Sequence, residues 1–193
     1  MPKSSATARA RKIKLILFDV DGVLTDGKIW IFPAPGGSQP TGVQAGASLI
    51  EAKGFHAHDG TAIMLARMAG IKTGIITKRI SETVALRARD LKIDHVYQGI
   101  QDKASVFAQI LKKDGITAAH AAFVGDDVID LPAMRNCGLA IAVKNARPEV
   151  KAEAHWTTPH AGGDGAARDA VEYILKAQGR WKQVVEDYTS LKG

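Results

Sequence analysis

Four short apolar runs punctuate the chain, and each gives way to a polar residue. IKLILF (13–18) leads to Asp19, IKTGII (71–76) to Thr77, HAAFVG (120–125) to Asp126 and GLAIAV (138–143) to Lys144. Runs this short and continuous read as strands buried on both faces, as in a parallel sheet. Between them TAIMLARMAG (61–70), ISETVALRARDL (80–91) and DKASVFAQILKK (102–113) carry the amphipathic spacing of helices. Strands alternating with helices predict a doubly wound, Rossmann-like α/β fold. One region breaks the rhythm. KIWIF (28–32) and SLIEAKGFHAH (48–58) read as the strands of a β-hairpin flap. The segment between them, PAPGGSQPTGVQAGA (33–47), has three prolines, four glycines and no charge, and reads as an irregular loop.

Composition narrows the class. The chain has 193 residues, 46% of them hydrophobic, enough for one domain with a full core. No apolar run approaches the ~20 residues of a membrane span, and no membrane partner is expected. The start, MPKSSATARARKIK, lacks the apolar core of a secretion signal. Cys137 is the single cysteine. It reads as a small core residue and fits a cytoplasmic home. The net charge of +6 gathers partly at Lys3, Arg9, Arg11, Lys12 and Lys14. No aromatic residues interleave there to stack on bases, so residues 1–12 read as a solvated, flexible arm and not a nucleic-acid module. The expected organisation is that arm, a catalytic domain over 13–178 with its hairpin flap at 27–58, and a helical C-terminal tail over 179–193.

The chemistry concentrates where strands end. In an open parallel sheet, ligands bind at the carboxyl ends of the strands. Asp19, Thr77 and Asp126 would therefore share one rim. Asp21 lies two residues from Asp19, and Asp127 directly follows Asp126. So many carboxylates need a cation among them, and hard oxygen donors select Mg²⁺. Thr77 adds a hydroxyl and Lys103 a fixed positive charge. The set suits phosphoryl transfer, in which positioning and charge neutralisation carry most of the catalysis. A carboxylate can itself attack phosphorus.

FDVDGVLTDG (18–27), ITKR (76–79), Lys103 and GDDVIDLP (125–132) resemble the four motifs of the haloacid dehalogenase superfamily of phosphatases. FHAHDG (55–60), QDK (101–103) and GGDGAARDAVEYIL (162–175) further resemble its 3-deoxy-D-manno-octulosonate 8-phosphate phosphatase family, which lacks a large cap domain. The resemblance implies Asp19 as nucleophile and Asp21 as general acid and base. It implies Mg²⁺ held by Asp19, the Asp21 backbone carbonyl and Asp126. Thr77 and Lys103 would grip the phosphoryl oxygens, Asp127 would stand behind the ligands, and Asp130 would orient this loop or cap the next helix. It also implies a homotetramer with hairpins packed at its centre, here through Ile29, Ile31, Leu49 and Phe55, and active sites near subunit interfaces.

Three departures from the family pattern fall where the substrate would be recognised. His58 stands where the family often has Arg, Lys78-Arg79 where a Gly-Arg pair is usual, and the loop 33–47 where the turn is short. Lys53, Lys78 and Arg79, with His58, are therefore the candidate contacts to a sugar acid. Lys53 also reads as a solvated strand-face charge, and His58 as an interface residue. A phosphatase for another sugar acid, such as an N-acylneuraminate 9-phosphate, is the alternative within the enzymes. A receiver-like phosphoacceptor domain is the alternative outside them.

Overall fold

The computed structural model describes residues 5–33 and 49–190. Strand β1 (Leu15–Phe18) is completely buried. It pairs in parallel with β4 (Lys72–Ile76) on one side and β6 (Ala121–Gly125) on the other. Strands β5 (His95–Tyr97), β7 (Leu139–Ala142) and β8 (Trp156–Thr157) extend the sheet to the order β5-β4-β1-β6-β7-β8. Helices α2 (Ala57–Met68), α3 (Glu82–Asp90), α4 (Lys103–Asp114), α5 (Leu131–Asn136), α6 (Pro148–Glu153) and α7 (Ala166–Ala177) make the crossovers and cover the faces. This is the doubly wound sheet expected from the apolar runs. Phe18, Phe107 and Phe123 are among its largest sealed side chains. Each contributes ~1.5–3 kcal/mol through burial.

The topology decides where chemistry can gather. After β1 the chain builds β4 and β5 on one flank, then crosses through α4 to β6 on the other. β1 is therefore the switch point, and its carboxyl end opens into the crevice between the two flanks. Phe18 is in register with Ile75 and with Val124. The three chains thus leave the sheet at one level, which puts Asp19, Thr77 and Asp126 on one rim.

Between β1 and α2 the described residues form a hairpin of β2 (Trp30–Pro33) and β3 (Leu49–Ala52), paired antiparallel, and no cap domain. The expected loop 33–47, Pro33 excepted, lies outside the described residues. The strand expected over 48–58 is shorter, because the chain turns helical at Ala57. The His56 side chain accepts the His58 N–H at 3.3 Å as an N-cap. A ring nitrogen that satisfies a first-turn donor favours helix over further extension. Helix α2 accordingly starts four residues before the run TAIMLARMAG suggested.

The N-terminal end departs from the sequence reading, whereas the C-terminal end is helical as expected. The stretch expected as a solvated arm contains helix α1 (Ala6–Ala10), capped by the Ser5 hydroxyl. Ala10 is fully buried, Arg9 donates to the Gly138 carbonyl at 2.7 Å, and Thr7 meets the Tyr173 hydroxyl at 3.1 Å. Small alanines let this helix dock on α7, while Arg11, Lys12 and Lys14 remain exposed. The C-terminal segment forms α8 (Trp181–Ser190), which packs against α2 and α7. Its Trp181 ring lies under the Arg168 guanidinium at 4.9 Å, a cation–π contact. No helix among the described residues is long and apolar enough to cross a membrane.

Candidate active site

Asp19 follows β1 directly and is almost fully buried. Its Oδ1 accepts the Val20 N–H at 2.7 Å and faces Lys103 Nζ at 2.9 Å. Among the described residues no hydrogen bond reaches Oδ2, which leaves that oxygen available. Lys103 is the first residue of α4, a helix capped by Asp102. Its ammonium is sealed inside and also donates to Asp130 Oδ1 at 2.7 Å. The other oxygen of Asp130 accepts the N–H groups of Asp126 and Asp127, at 2.9 and 3.3 Å. Asp130 is thus consumed in holding Lys103 and the loop after β6.

Asp126 lies on the far side of the same crevice. One of its carboxylate oxygens, Oδ1, is buried and has no hydrogen-bond partner. Gly22, at φ +92°, makes room for it, since a Cβ there would collide with the Asp126 carboxylate. Burial pushes the Asp126 carboxyl up to about 8, helped by the charges of Asp130, Asp19 and Asp127. Burial and Asp130 likewise raise Asp19 to about 6, against the pull of Lys103. Burial works against the Lys103 ammonium, but Asp19 and Asp130 outweigh it and hold its pKa above the usual lysine value.

Asp19, Asp126 and Asp130 each place an oxygen within 4.8 Å of the others. Because Asp130 is already saturated, Asp19 and Asp126 are the open side-chain donors of the three. An unpaired buried oxygen beside other carboxylates is costly. A hard divalent cation relieves that cost, and Mg²⁺ suits an all-oxygen donor set. The residues fit the metal.

Thr77 begins where β4 stops. It is buried, and its N–H bonds the Tyr97 carbonyl at 2.9 Å. Asp21, partly exposed, sits at the mouth. It is ion-paired with Lys53, whose side chain is wholly inaccessible, and Arg79 Nε approaches its Oδ2 at 3.9 Å. Lys53 is therefore no solvated strand-face charge. Lys78 and His58 stay exposed. Lys78 has no ion pair among the described residues. His58 lines a separate groove with His160, Asp164, Arg168, Asp169 and Glu172.

Residues 64–168 match the model of the haloacid dehalogenase-like hydrolases. The 3-deoxy-D-manno-octulosonate 8-phosphate phosphatase of Escherichia coli K12 is 38% identical over 173 residues, which span 90% of this chain and 85% of that protein. This chain belongs to the 3-deoxy-D-manno-octulosonate 8-phosphate phosphatase family of haloacid dehalogenase-like hydrolases. A Moraxella catarrhalis phosphatase of that name, crystallised with magnesium, phosphate and KDO, superposes with a TM-score of 0.83 at 36% identity, covering 95% of this chain and 97% of that one. The cobalt-bound phosphatase of Haemophilus influenzae gives a TM-score of 0.76 at 34% identity, with 89% and 92% covered.

Several residues that build this phosphatase site gave weaker signals in sequence. Asn145 accepts the Gly162 N–H at 2.7 Å and donates to the Gly22 carbonyl at 3.5 Å. It fastens the Gly162–Gly165 loop to the turn after β1. Gly162 has to be glycine there, because a Cβ would strike the Gly22 carbonyl. Asp59, buried in the first turn of α2, accepts the Arg168 N–H at 2.8 Å at the start of α7. Glu51, which falls within the strand expected over 48–58, pairs with Arg79 and with Lys53. The glycine pair was a legible signal for the loop; a lone Glu in a strand was not.

Proposed function

We propose that this chain is the Mg²⁺-dependent phosphatase that hydrolyses 3-deoxy-D-manno-octulosonate 8-phosphate. The observation that carries this reading is the pairing of Asp19 with a sealed Lys103 beside the open Asp126 oxygen, all at the sheet's switch point. The name shared by these relatives points to the substrate.

In this reading one oxygen of the Asp19 carboxylate attacks phosphorus and the bond to the sugar oxygen breaks. Asp21 gives its proton to the leaving alkoxide. Asp21 then takes a proton from water, whose oxygen attacks the aspartyl-phosphate and frees phosphate and Asp19. Asp19, the Asp21 carbonyl and Asp126 would hold Mg²⁺, which when bound would supply positive charge against the phosphoryl oxygens. Lys103 has three donors and spends two on carboxylates, so one is left for a phosphoryl oxygen. The Thr77 hydroxyl takes another. Lys78 and Arg79 at the mouth face the carboxylate of the sugar acid.

Assembly as a homotetramer through the hairpin belongs to the same proposal. Trp30, Ile31 and Leu49 are 54%, 58% and 62% exposed, an apolar ribbon that a partner subunit would cover. A cytoplasmic location is supported by the lone, buried Cys137, which can form no disulfide within the chain.

The test is a substrate panel with Mg²⁺: 3-deoxy-D-manno-octulosonate 8-phosphate, N-acylneuraminate 9-phosphate and neutral hexose phosphates. The expected result is the highest kcat/KM for the eight-carbon sugar acid. Higher efficiency on the nine-carbon acid would transfer the assignment. A single stoichiometric labelling without turnover would make the chain a phosphoacceptor.

A further inference from the structure

The hairpin and the start of α3 meet at one carboxylate that the proposed chemistry does not use. Glu51, on β3, accepts a hydrogen bond from the Ser81 hydroxyl through Oε1. Through Oε2 it accepts from Arg79 Nη2 at 3.0 Å. Lys53 Nζ stands 3.9 Å from Oε1. The Thr83 hydroxyl donates to the Glu51 backbone carbonyl at 3.3 Å, which pins the strand itself to α3. Both cations held by Glu51 also face Asp21: Lys53 directly, and Arg79 at 3.9 Å. Burial pushes the Glu51 carboxyl up, but the Ser81 hydroxyl, Arg79 and Lys53 outweigh it and keep the group ionised.

We propose that Glu51 is a positioning residue that sets Lys53 and Arg79 against Asp21, so that the hairpin fixes the direction of the acid–base carboxylate. The inference rests on the reading of Asp21 as general acid and base. A carboxylate with four lone-pair directions and rotatable χ angles has many orientations, and two cations anchored to a common partner leave few. Proton transfer to a leaving oxygen demands heavy-atom separations of about 2.6–3.2 Å, so loss of orientation weakens that step first. Ser81 serves twice here, since its hydroxyl also accepts the Val84 N–H as the N-cap of α3. The frame that aims Asp21 is thereby tied to the end of β4, the same rim that carries Thr77.

The dependence on leaving group separates this role from a structural one. Dinitrophenyl phosphate departs without a proton, whereas a sugar phosphate needs one. For Glu51→Gln, the ratio of kcat/KM for the sugar phosphate to that for dinitrophenyl phosphate should fall at least tenfold, mostly through kcat. Glu51→Asp, which keeps the charge but shortens the reach, should lose the ratio as well. Placed in an Asp21→Asn background, Glu51→Gln should then cost the sugar phosphate less than twofold more, because the two changes act on one group. Circular dichroism and sizing confirm that each variant is folded and assembled as wild type. If Glu51→Gln lowers both substrates equally, or its cost adds in full to Asp21→Asn, the inference is overturned. If Asp21→Asn itself leaves the ratio unchanged, the reading of Asp21 fails instead, and the two outcomes remain distinct.

Discussion

Asp130, with no solvent exposure, receives Lys103 Nζ at 2.7 Å while its other oxygen takes two backbone N–H groups. Asp130→Ala would strip the ammonium of one counter-charge and leave the Asp126 and Asp127 N–H groups unmet. Breaking a buried pair by removing one partner costs about 3–5 kcal/mol. The expected outcome is a fall in stability of that size and a severe loss of turnover as Lys103 drifts toward Asp19. Urea unfolding with and without Mg²⁺ checks it. A variant as stable as wild type would mean that Lys103 finds another partner.

Asp19→Asn should remain folded and lose at least ~10³-fold in kcat, about 4 kcal/mol of barrier. Amide nitrogen and oxygen keep the shape but not the nucleophilicity. Turnover within tenfold of wild type would remove Asp19 from the chemistry.

Metal binding should carry a pH signature. In the metal-free protein Asp19 and Asp126 sit well above their ordinary value of 3.8, at about 6 and about 8. Their neutral forms are favoured by the fold, so the stability they contribute is complete below pH 3.8. It is lost as pH rises through 6 and then 8. Mg²⁺ needs both ionised and should reverse the loss. The Tm in chelator should therefore decline from pH 6 to 9, and the rise in Tm on adding Mg²⁺ should be larger at pH 8 than at pH 6. Thermal scans in both conditions measure this. A Mg²⁺ effect that shrinks with pH would contradict the donor set.

Gly162→Ala should be disproportionately harmful for so small a change. The new methyl meets the Gly22 carbonyl and must push the turn after β1 away from Asn145. Overpacking of this kind costs about 1–3 kcal/mol. Because Gly22 also shelters Asp126, Mg²⁺ affinity should fall along with stability. Calorimetric titration with Mg²⁺ reads the affinity, and an unchanged value would show that the loop is decorative.

Ile31→Lys should dissociate the proposed tetramer, since each exposed apolar side chain of the hairpin that becomes buried in an interface is worth ~1.5–3 kcal/mol. Light scattering reports the mass. A wild-type protein that runs as an active monomer would rule out the assembly.

Much of this was visible in the chain itself. Strands sealed on both faces need unbroken apolar runs, so β1, β4, β6 and β7 stood out, and with them the polar residues at their ends. Edge strands β5 and β8 are three and two residues long and carry no such signature. Helix α1 hid because its alanines and arginines look like a tail until a neighbouring helix is supplied. Asp19 and Asp126 were legible because carboxylates beside a buried strand demand a reason. Glu51 was not, because its meaning comes from Arg79 and Ser81, 28 and 30 residues away in sequence. His58, which the sequence offered as either a substrate contact or an interface residue, is presented by the first turn of α2 to the groove it lines with His160 and Asp169.

The brevity of β5 and β8 has a consequence for the molecule in a crowded solution. An open strand is a template on which another chain can add, and two or three residues offer too few bonds to recruit one. The main sheet is thus closed to edge-to-edge aggregation by length alone. Among the described residues, the hairpin is left as the two-stranded ribbon that exposes apolar side chains together. The hairpin's stickiness lies where an ordered encounter between like subunits can use it and a disordered one is less easily started.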